Sequence, residues 1–206
     1  AGGGGPKPFD MPMSDFVWAY QLNVFSVFRL TQLCAPHMEA AGGGAVLNIS
    51  SMAGENKNVR MASYSSSKAA ENHLTRNIAF DLGPKRIRVN AIAPGAIRTD
   101  ALATVLTPDV EKAMLKHTPL ARLGRPTDIG AAALFLCSPA SEWVRGQVLA
   151  YLGESQLSAR ERLTSFIGFR VDLDRFATTV EVAMAVIELE RIAANAMDMS
   201  ILEGAA

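Results

Sequence analysis

With 206 residues, 49% of them hydrophobic, the chain holds enough apolar material for one packed core, and a single domain is expected. Twenty Lys and Arg balance twenty Asp and Glu, which excludes the basic excess selected by nucleic acid or an anionic membrane surface and leaves a small molecule as the expected partner. Cys34 and Cys137 lack the spacing of a metal site or a disulfide framework and are expected as reduced, buried thiols. The longest apolar run, around residues 131–137, falls far short of the roughly 20 residues of a membrane-spanning helix. There is no secretory leader, so a soluble cytoplasmic protein is expected.

The chain opens on Ala1 rather than methionine and enters a glycine run at 2–5, so a preceding segment is expected to be missing. Ser14 is the candidate N-cap of a long helical region in which Phe16, Tyr20, Phe25, Phe28 and Leu30 recur at near-helical intervals, and Pro36 is expected to break or kink it. Glycines 42–44 release the chain into AVLNIS, residues 45–50, a branched apolar run expected as a buried strand. The firmest helix is 62–82, where Leu74, Ile78 and Leu82 repeat every fourth residue and Gly83-Pro84 is expected to end it sharply. RIRVNAIA at 86–93 predicts the next strand, closed by a turn at Pro94-Gly95. Helices are expected over 108–117 and 126–137, the latter with Pro126 in its first turn, where a missing N–H costs nothing. GQVLAY, residues 146–151, predicts a third strand.

Strands alternating with helical crossovers predict an α/β fold, a doubly wound parallel sheet with helices on both faces. Ligands bind such sheets beyond the carboxyl ends of the strands, where Ser50-Ser51 and Pro94-Gly95 both fall. Beyond residue 154 there is no proline, and only Gly168 and Gly204 remain of sixteen glycines. The expected organisation is therefore a catalytic part over 1–154 and a helical tail over 155–206, with an amphipathic stretch at 175–199.

Tyr64 and Lys68 stand four residues apart near the start of the firmest helix, so their side chains leave the same face. Free tyrosine, with a pKa of about 10, is a poor base at neutral pH, and a neighbouring ammonium favours the phenolate. Alone, this spacing is a weak signal that more often describes a surface pair. Ser51 adds to it: it ends a predicted strand thirteen positions earlier, with a loop able to fold its hydroxyl towards the helix, where it can bond a substrate oxygen as charge develops there. His37 and His73 read as structural, and His117 faces substrate only if the segment around it is a lid. Met184, Met197 and Met199 read as core or partner-facing filler.

The stretch ISSMAGENKNVRMASYSSSKAA around Ser51, Tyr64 and Lys68, with LNV at 22–24 and IRVNAIAPGAIRT at 87–99, resembles the short-chain dehydrogenase/reductase family from Ala1 to about Leu149. Within it, AGGGGPKPFDMP, the ENKN loop and HTPLARLGRP are most similar to the 7α-hydroxysteroid, or bile acid, dehydrogenases. The resemblance implies a Rossmann-like fold and hydride transfer between a nicotinamide cofactor, NAD or NADP with NAD favoured, and a secondary alcohol or ketone such as a hydroxysteroid. It implies Tyr64 as general acid/base, Ser51 orienting the substrate oxygen, Lys68 assisting the tyrosine and holding the nicotinamide ribose, and Asn23 positioning a relay water. Gly2, Pro94, Gly95, Ile97 and Thr99, along with Asn90, correspond to segments lining the cofactor, and 100–125 corresponds to a substrate lid. A homo-oligomer, a tetramer in the family, is implied through helices such as 13–40 and 62–82.

The family's opening strand and Gly-x-x-x-Gly-x-Gly turn, which hold a pyrophosphate, have no counterpart here, and the sequence after GQVL is unrelated. The sheet is thus expected to be truncated at its N-terminal side with an unpaired edge, and the chain alone to bind dinucleotide weakly or not at all while keeping the catalytic side chains. The alternatives are a 3-oxoacyl thioester reductase or a truncated, non-catalytic interaction protein.

Overall fold

The computed structural model describes residues 6–116, 118 and 120–151. The expected helical tail over 155–206, Gly2 and His117 lie outside these residues. The described elements are α1 (Met13–Tyr20), α2 (Ser26–Ala40), β1 (Gly44–Ile49), α3 (Ala62–Leu82), β2 (Ile87–Pro94), the short α4 (Asp100–Ala103), α5 (Pro108–Leu115), α6 (Pro126–Cys137) and β3 (Val148–Tyr151). The strands form one parallel sheet in the order β1-β2-β3, with Gly44 opposite Ile87 and Ile49 opposite Ile92, and Ala91 opposite Val148.

Side-chain alternation along the strands sorts the core into two layers. Ile87 and Val89 of β2, with Val46 of β1, pack against Ala35, Met38, Leu74, Ile78, Ala79 and Leu82 of α2 and α3. Ile92 of β2, with Leu47 and Ile49 of β1, packs against Ile129, Ala132, Ala133 and Leu136 of α6. Helices therefore cover both faces, as the alternation predicts. β2 is central, and Ile87, Val89, Ala91, Ile92 and Ala93 are fully buried. β1 has no second strand neighbour among the described residues.

Polar side chains on β2 fix the far layer. Arg88 donates to the Leu136 carbonyl at 2.8 Å, the Ser141 hydroxyl at 2.9 Å and the Ser138 carbonyl at 3.3 Å, so its guanidinium caps the carboxyl end of α6. Asn90, 1% exposed, donates to the Val144 carbonyl and accepts from the Gln147 amide, which delivers the chain into β3.

Three local expectations, on Ser14, Pro36 and Cys34, are corrected. Ser14 lies inside α1, which starts after extended Pro12 without a side-chain cap. Pro36 sits within α2, and the helix runs on to Ala40. The carbonyl that loses its donor belongs to Gln32, and Gln32 and Pro36 are both exposed, so solvent can serve it. α3 does end at Leu82, as Gly83-Pro84 predicts, and a tighter turn over Gly83–Lys85 follows before Arg86, at φ 58, makes the reversal. A Cβ at Gly83 would lie 2.8 Å from the Arg145 guanidinium, a flexible side-chain tip that can move aside. Cys34 is exposed on the outer side of α2 rather than buried. Cys137 is partly buried, and that burial pushes its thiol above the usual range against the opposing pull of Arg88.

Candidate active site

The site is assembled at the carboxyl end of β1. Ser50 extends the strand, its amide donating to the Ile92 carbonyl at 2.7 Å and its hydroxyl to the Lys68 carbonyl at 3.3 Å. Ser51 follows in extended conformation and caps the turn Met52–Gly54, accepting from the Ala53 amide at 3.1 Å. Since that bond uses a lone pair, the Ser51 proton stays free to be donated. Gly54 presses the turn onto α3: a Cβ there would lie 2.8 Å from both the Lys68 carbonyl carbon and the Ala69 nitrogen. Only glycine lets backbone meet backbone this closely, so Gly54 sets the spacing between the Ser51 loop and the helix.

Helix α3 buries polar residues up to Thr75, namely Ser63, Ser67, Lys68, Glu71, Asn72 and Thr75 itself, and apolar Ile78 and Ala79 beyond it. The later part packs on the sheet, while the earlier part faces the strand ends, where backbone carbonyls and polar loops provide partners. Lys68 is 0% exposed, and its ammonium donates to the Ile49 carbonyl at 2.9 Å and to Glu71 Oε2 at 2.8 Å. The same Nζ lies 6.0 Å from the centroid of the Tyr64 ring. Tyr64 and Lys68 are thus brought together as their spacing predicts, beside the strand end that carries Ser51. Among the described residues the Tyr64 hydroxyl has no protein partner.

Asn23 arrives from the other side. Between α1 and α2, residues Gln21–Phe25 widen into a π-type turn, a feature common where a helix serves a functional site. The extra residue turns Asn23 inward, where it is 1% exposed and donates from Nδ2 to the Ser67 hydroxyl at 3.0 Å, next to Lys68 in sequence. Its Oδ1 is buried without a protein hydrogen-bond partner among the described residues. A buried carbonyl oxygen of this kind is suited to a water or a ligand hydroxyl.

Pro94 closes β2, and Gly95 follows it at the same edge of the sheet. Ile97 bridges to Gly124: the Arg98 amide donates to the Gly124 carbonyl at 2.8 Å, and the Gly124 amide to the Ala96 carbonyl at 3.0 Å. A Cβ at Gly124 would meet Ile97 Cδ1 at 2.3 Å, so a larger residue there would force the Ile97 side chain to move. The excursion over 100–125 therefore leaves and rejoins the fold at nearly one point. Thr99 is exposed, and its hydroxyl accepts from the Leu102 amide at 3.3 Å as the N-cap of α4. Asn90 holds this part of the sheet to the segment entering β3 through its bonds to Val144 and Gln147.

Sequence reasoning missed Glu71, Ser67 and Gly54. Glu71 lies three residues beyond Lys68 on the face shared with Tyr64, a spacing that could have flagged it. Among the described residues no group of three or more His, Cys, Asp or Glu side chains is placed to hold a metal, and no helix is long and apolar enough to cross a membrane.

The family described as enoyl-(acyl carrier protein) reductase matches residues 2–153. Over 153 residues the chain is 68% identical to 7α-hydroxysteroid dehydrogenase of Escherichia coli K12, covering 74% of this chain and 60% of that protein. It is 41% identical over 142 residues to 3α-hydroxysteroid dehydrogenase of Mediterraneibacter gnavus, covering 69% and 56%. Among solved structures, a 7α-hydroxysteroid dehydrogenase complexed with NADH and 7-oxo glycochenodeoxycholic acid superposes with a TM-score of 0.72 at 68% identity, over 74% of this chain and 60% of that one. A 3-oxoacyl-[acyl-carrier protein] reductase of Brucella melitensis gives 0.70 at 33% identity, over 77% and 59%. The chain spans about 60% of the length of these relatives.

Proposed function

Because this chain belongs to the short-chain dehydrogenase/reductase family, we propose that it carries the catalytic part of an oxidoreductase that interconverts a secondary alcohol and a ketone, with a hydroxysteroid as substrate. The observation that carries the proposal is the ammonium of Lys68, buried at the end of β1 and 6.0 Å from the Tyr64 ring. Burying a lysine is costly and calls for a use.

In the reducing direction the Tyr64 phenol donates its proton to the substrate carbonyl oxygen while the Ser51 O–H bonds the same oxygen. The Lys68 ammonium draws the negative charge that develops on the phenol oxygen, and Asn23 Oδ1 holds a relay water through which the proton is restored. In the oxidising direction Tyr64 takes the alcohol proton instead.

The residues present fit a nicotinamide cofactor, and NAD is favoured over NADP on the likeness to a 7α-hydroxysteroid dehydrogenase complexed with NADH. Lys68 has one N–H beyond those bound to Ile49 and Glu71 with which to hold a ribose hydroxyl. Pro94, Gly95, Ile97 and Thr99 form the adjoining edge, with Gly2 as a further cofactor contact. When bound, the nicotinamide supplies or accepts the hydride. Segment 100–125 acts as the substrate lid, hinged where Ile97 meets Gly124. The unpaired cysteines suit a cytoplasmic setting. A homo-oligomer forms through α1, α2 and α3.

Similarity to the Brucella reductase at 33% identity supports a 3-oxoacyl thioester as the competing substrate. Assays pairing a 7-oxo bile acid with NADH against acetoacetyl thioester with NADPH separate the two. Tyr64→Phe is expected to lower turnover of the preferred pair by about 100-fold or more, and undiminished turnover would exclude the acid/base role.

A further inference from the structure

We propose that Glu71 is the positioning residue of Lys68, an anchor that fixes where the ammonium stands relative to Tyr64; this rests on the oxidoreductase reading of the site. Glu71 and Lys68 form an ion pair at 2.8 Å with side chains 1% and 0% exposed. Such a pair is a poor way to gain stability, because taking two charges out of water offsets their attraction and apolar residues of similar volume serve as well. Its value lies in geometry. An ammonium has three N–H donors on a flexible stem. The Ile49 carbonyl and Glu71 Oε2 take two of them, which defines the orientation of the third.

The anchor is itself secured. Asn48 of β1 donates from Nδ2 to the Thr75 hydroxyl at 2.9 Å, and that hydroxyl donates to the Glu71 carbonyl at 2.9 Å. The turn of α3 bearing Glu71 is thereby tied to the strand whose last carbonyl holds Lys68. Strand, carboxylate and ammonium form one closed set, so Nζ keeps its place beside the phenol when only its remaining N–H engages a ribose hydroxyl. Without Glu71 the ammonium would retain the Ile49 bond alone and swing about it. The loss would then fall on kcat, which depends on the charge near Tyr64, and on nicotinamide affinity, while the KM for the alcohol or ketone would be spared.

The test compares the full chain with its Glu71→Gln variant, which keeps side-chain shape, after circular dichroism has shown both folded. The first readout is the Lys68 ammonium resonance in 15N-lysine-labelled protein, assigned by its loss in Lys68→Met. It is expected to shift or broaden in Glu71→Gln, and an unchanged resonance would overturn the anchor. The second is kinetic: kcat is expected to fall about tenfold, with the KM for the 7-oxo bile acid changed less than twofold and the KM for NADH raised. Unchanged kcat in the variant of an active enzyme would overturn the proposal just as well. A wild-type chain without turnover would count against the oxidoreductase reading alone, and the ammonium resonance would still decide the role of Glu71.

Discussion

At the scale of single residues, the site depends on one atom that is absent. Gly54 has no Cβ, and the space where one would stand is filled by the backbone of Lys68 and Ala69 at 2.8 Å. Helix backbone cannot step aside as a flexible side-chain tip can. Gly54→Ala should therefore lift the Ser51 turn off α3 and destabilise the fold by about 1–3 kcal/mol. A urea midpoint matching the wild type would show that the contact yields freely. Tyr64→Phe carries the opposite expectation, full stability with lost turnover, since the phenol makes no protein hydrogen bond among the described residues. Sequence spacing revealed Tyr64 and Lys68 because an interval of four residues has a fixed meaning on a helix. It could not reveal Gly54 or the Ser67 hydroxyl, whose roles come from segments brought together by the sheet.

At the scale of elements, α6 shows how charge sets a helix start. Asp128 accepts from the Arg125 amide at 2.7 Å and from both Arg122 nitrogens, at 2.6 and 3.1 Å. The Arg122 hydrogen bond, with the Arg125 amide, holds the Asp128 carboxyl below its ordinary value. The group is more acidic in the folded chain, so its contribution to stability is complete above the unfolded value of about 4 and is lost as pH falls through the lower native one. Asp128→Asn is expected to melt below the wild type at neutral pH, with the gap closing in acid. Melting curves at a series of pH values check this, and a gap independent of pH would contradict it.

Helix α3 was legible over its whole span, 62–82, because Leu74, Ile78 and Leu82 mark its apolar side. The helical region before it was only partly so. The π-type turn at Gln21–Phe25 leaves no periodic trace, and Pro36 is tolerated where it and Gln32, whose carbonyl loses its donor, are both exposed. The caps Thr99 and Thr107 were available as signals for α4 and α5, whose starts they fix by accepting from Leu102 and Val110.

At the scale of the whole molecule, the described residues leave apolar groups uncovered on the helical layer. Trp18, Phe25, Phe28 and Leu33 are 47, 57, 44 and 51% exposed, and Phe80 of α3 is 76% exposed. Exposed rows of this kind mark association surfaces. Sedimentation velocity should find an oligomer, and Phe28→Glu should shift it towards monomer. A wild-type monomer at micromolar concentration would rule the association out. Alternating strands and helices predicted the parallel sheet and its two helical layers, since each amphipathic element must bury its apolar face against a neighbour.

The site's reaction is tested most directly by label transfer. NADH deuterated at the transferring carbon of its nicotinamide, incubated with the chain and a 7-oxo bile acid, should place one deuterium on the carbinol carbon of the product, read by mass spectrometry. Tyr64→Phe should place almost none. Product without label, or equal labelling by both proteins, would contradict the hydride transfer assisted by Tyr64 that is proposed for this site.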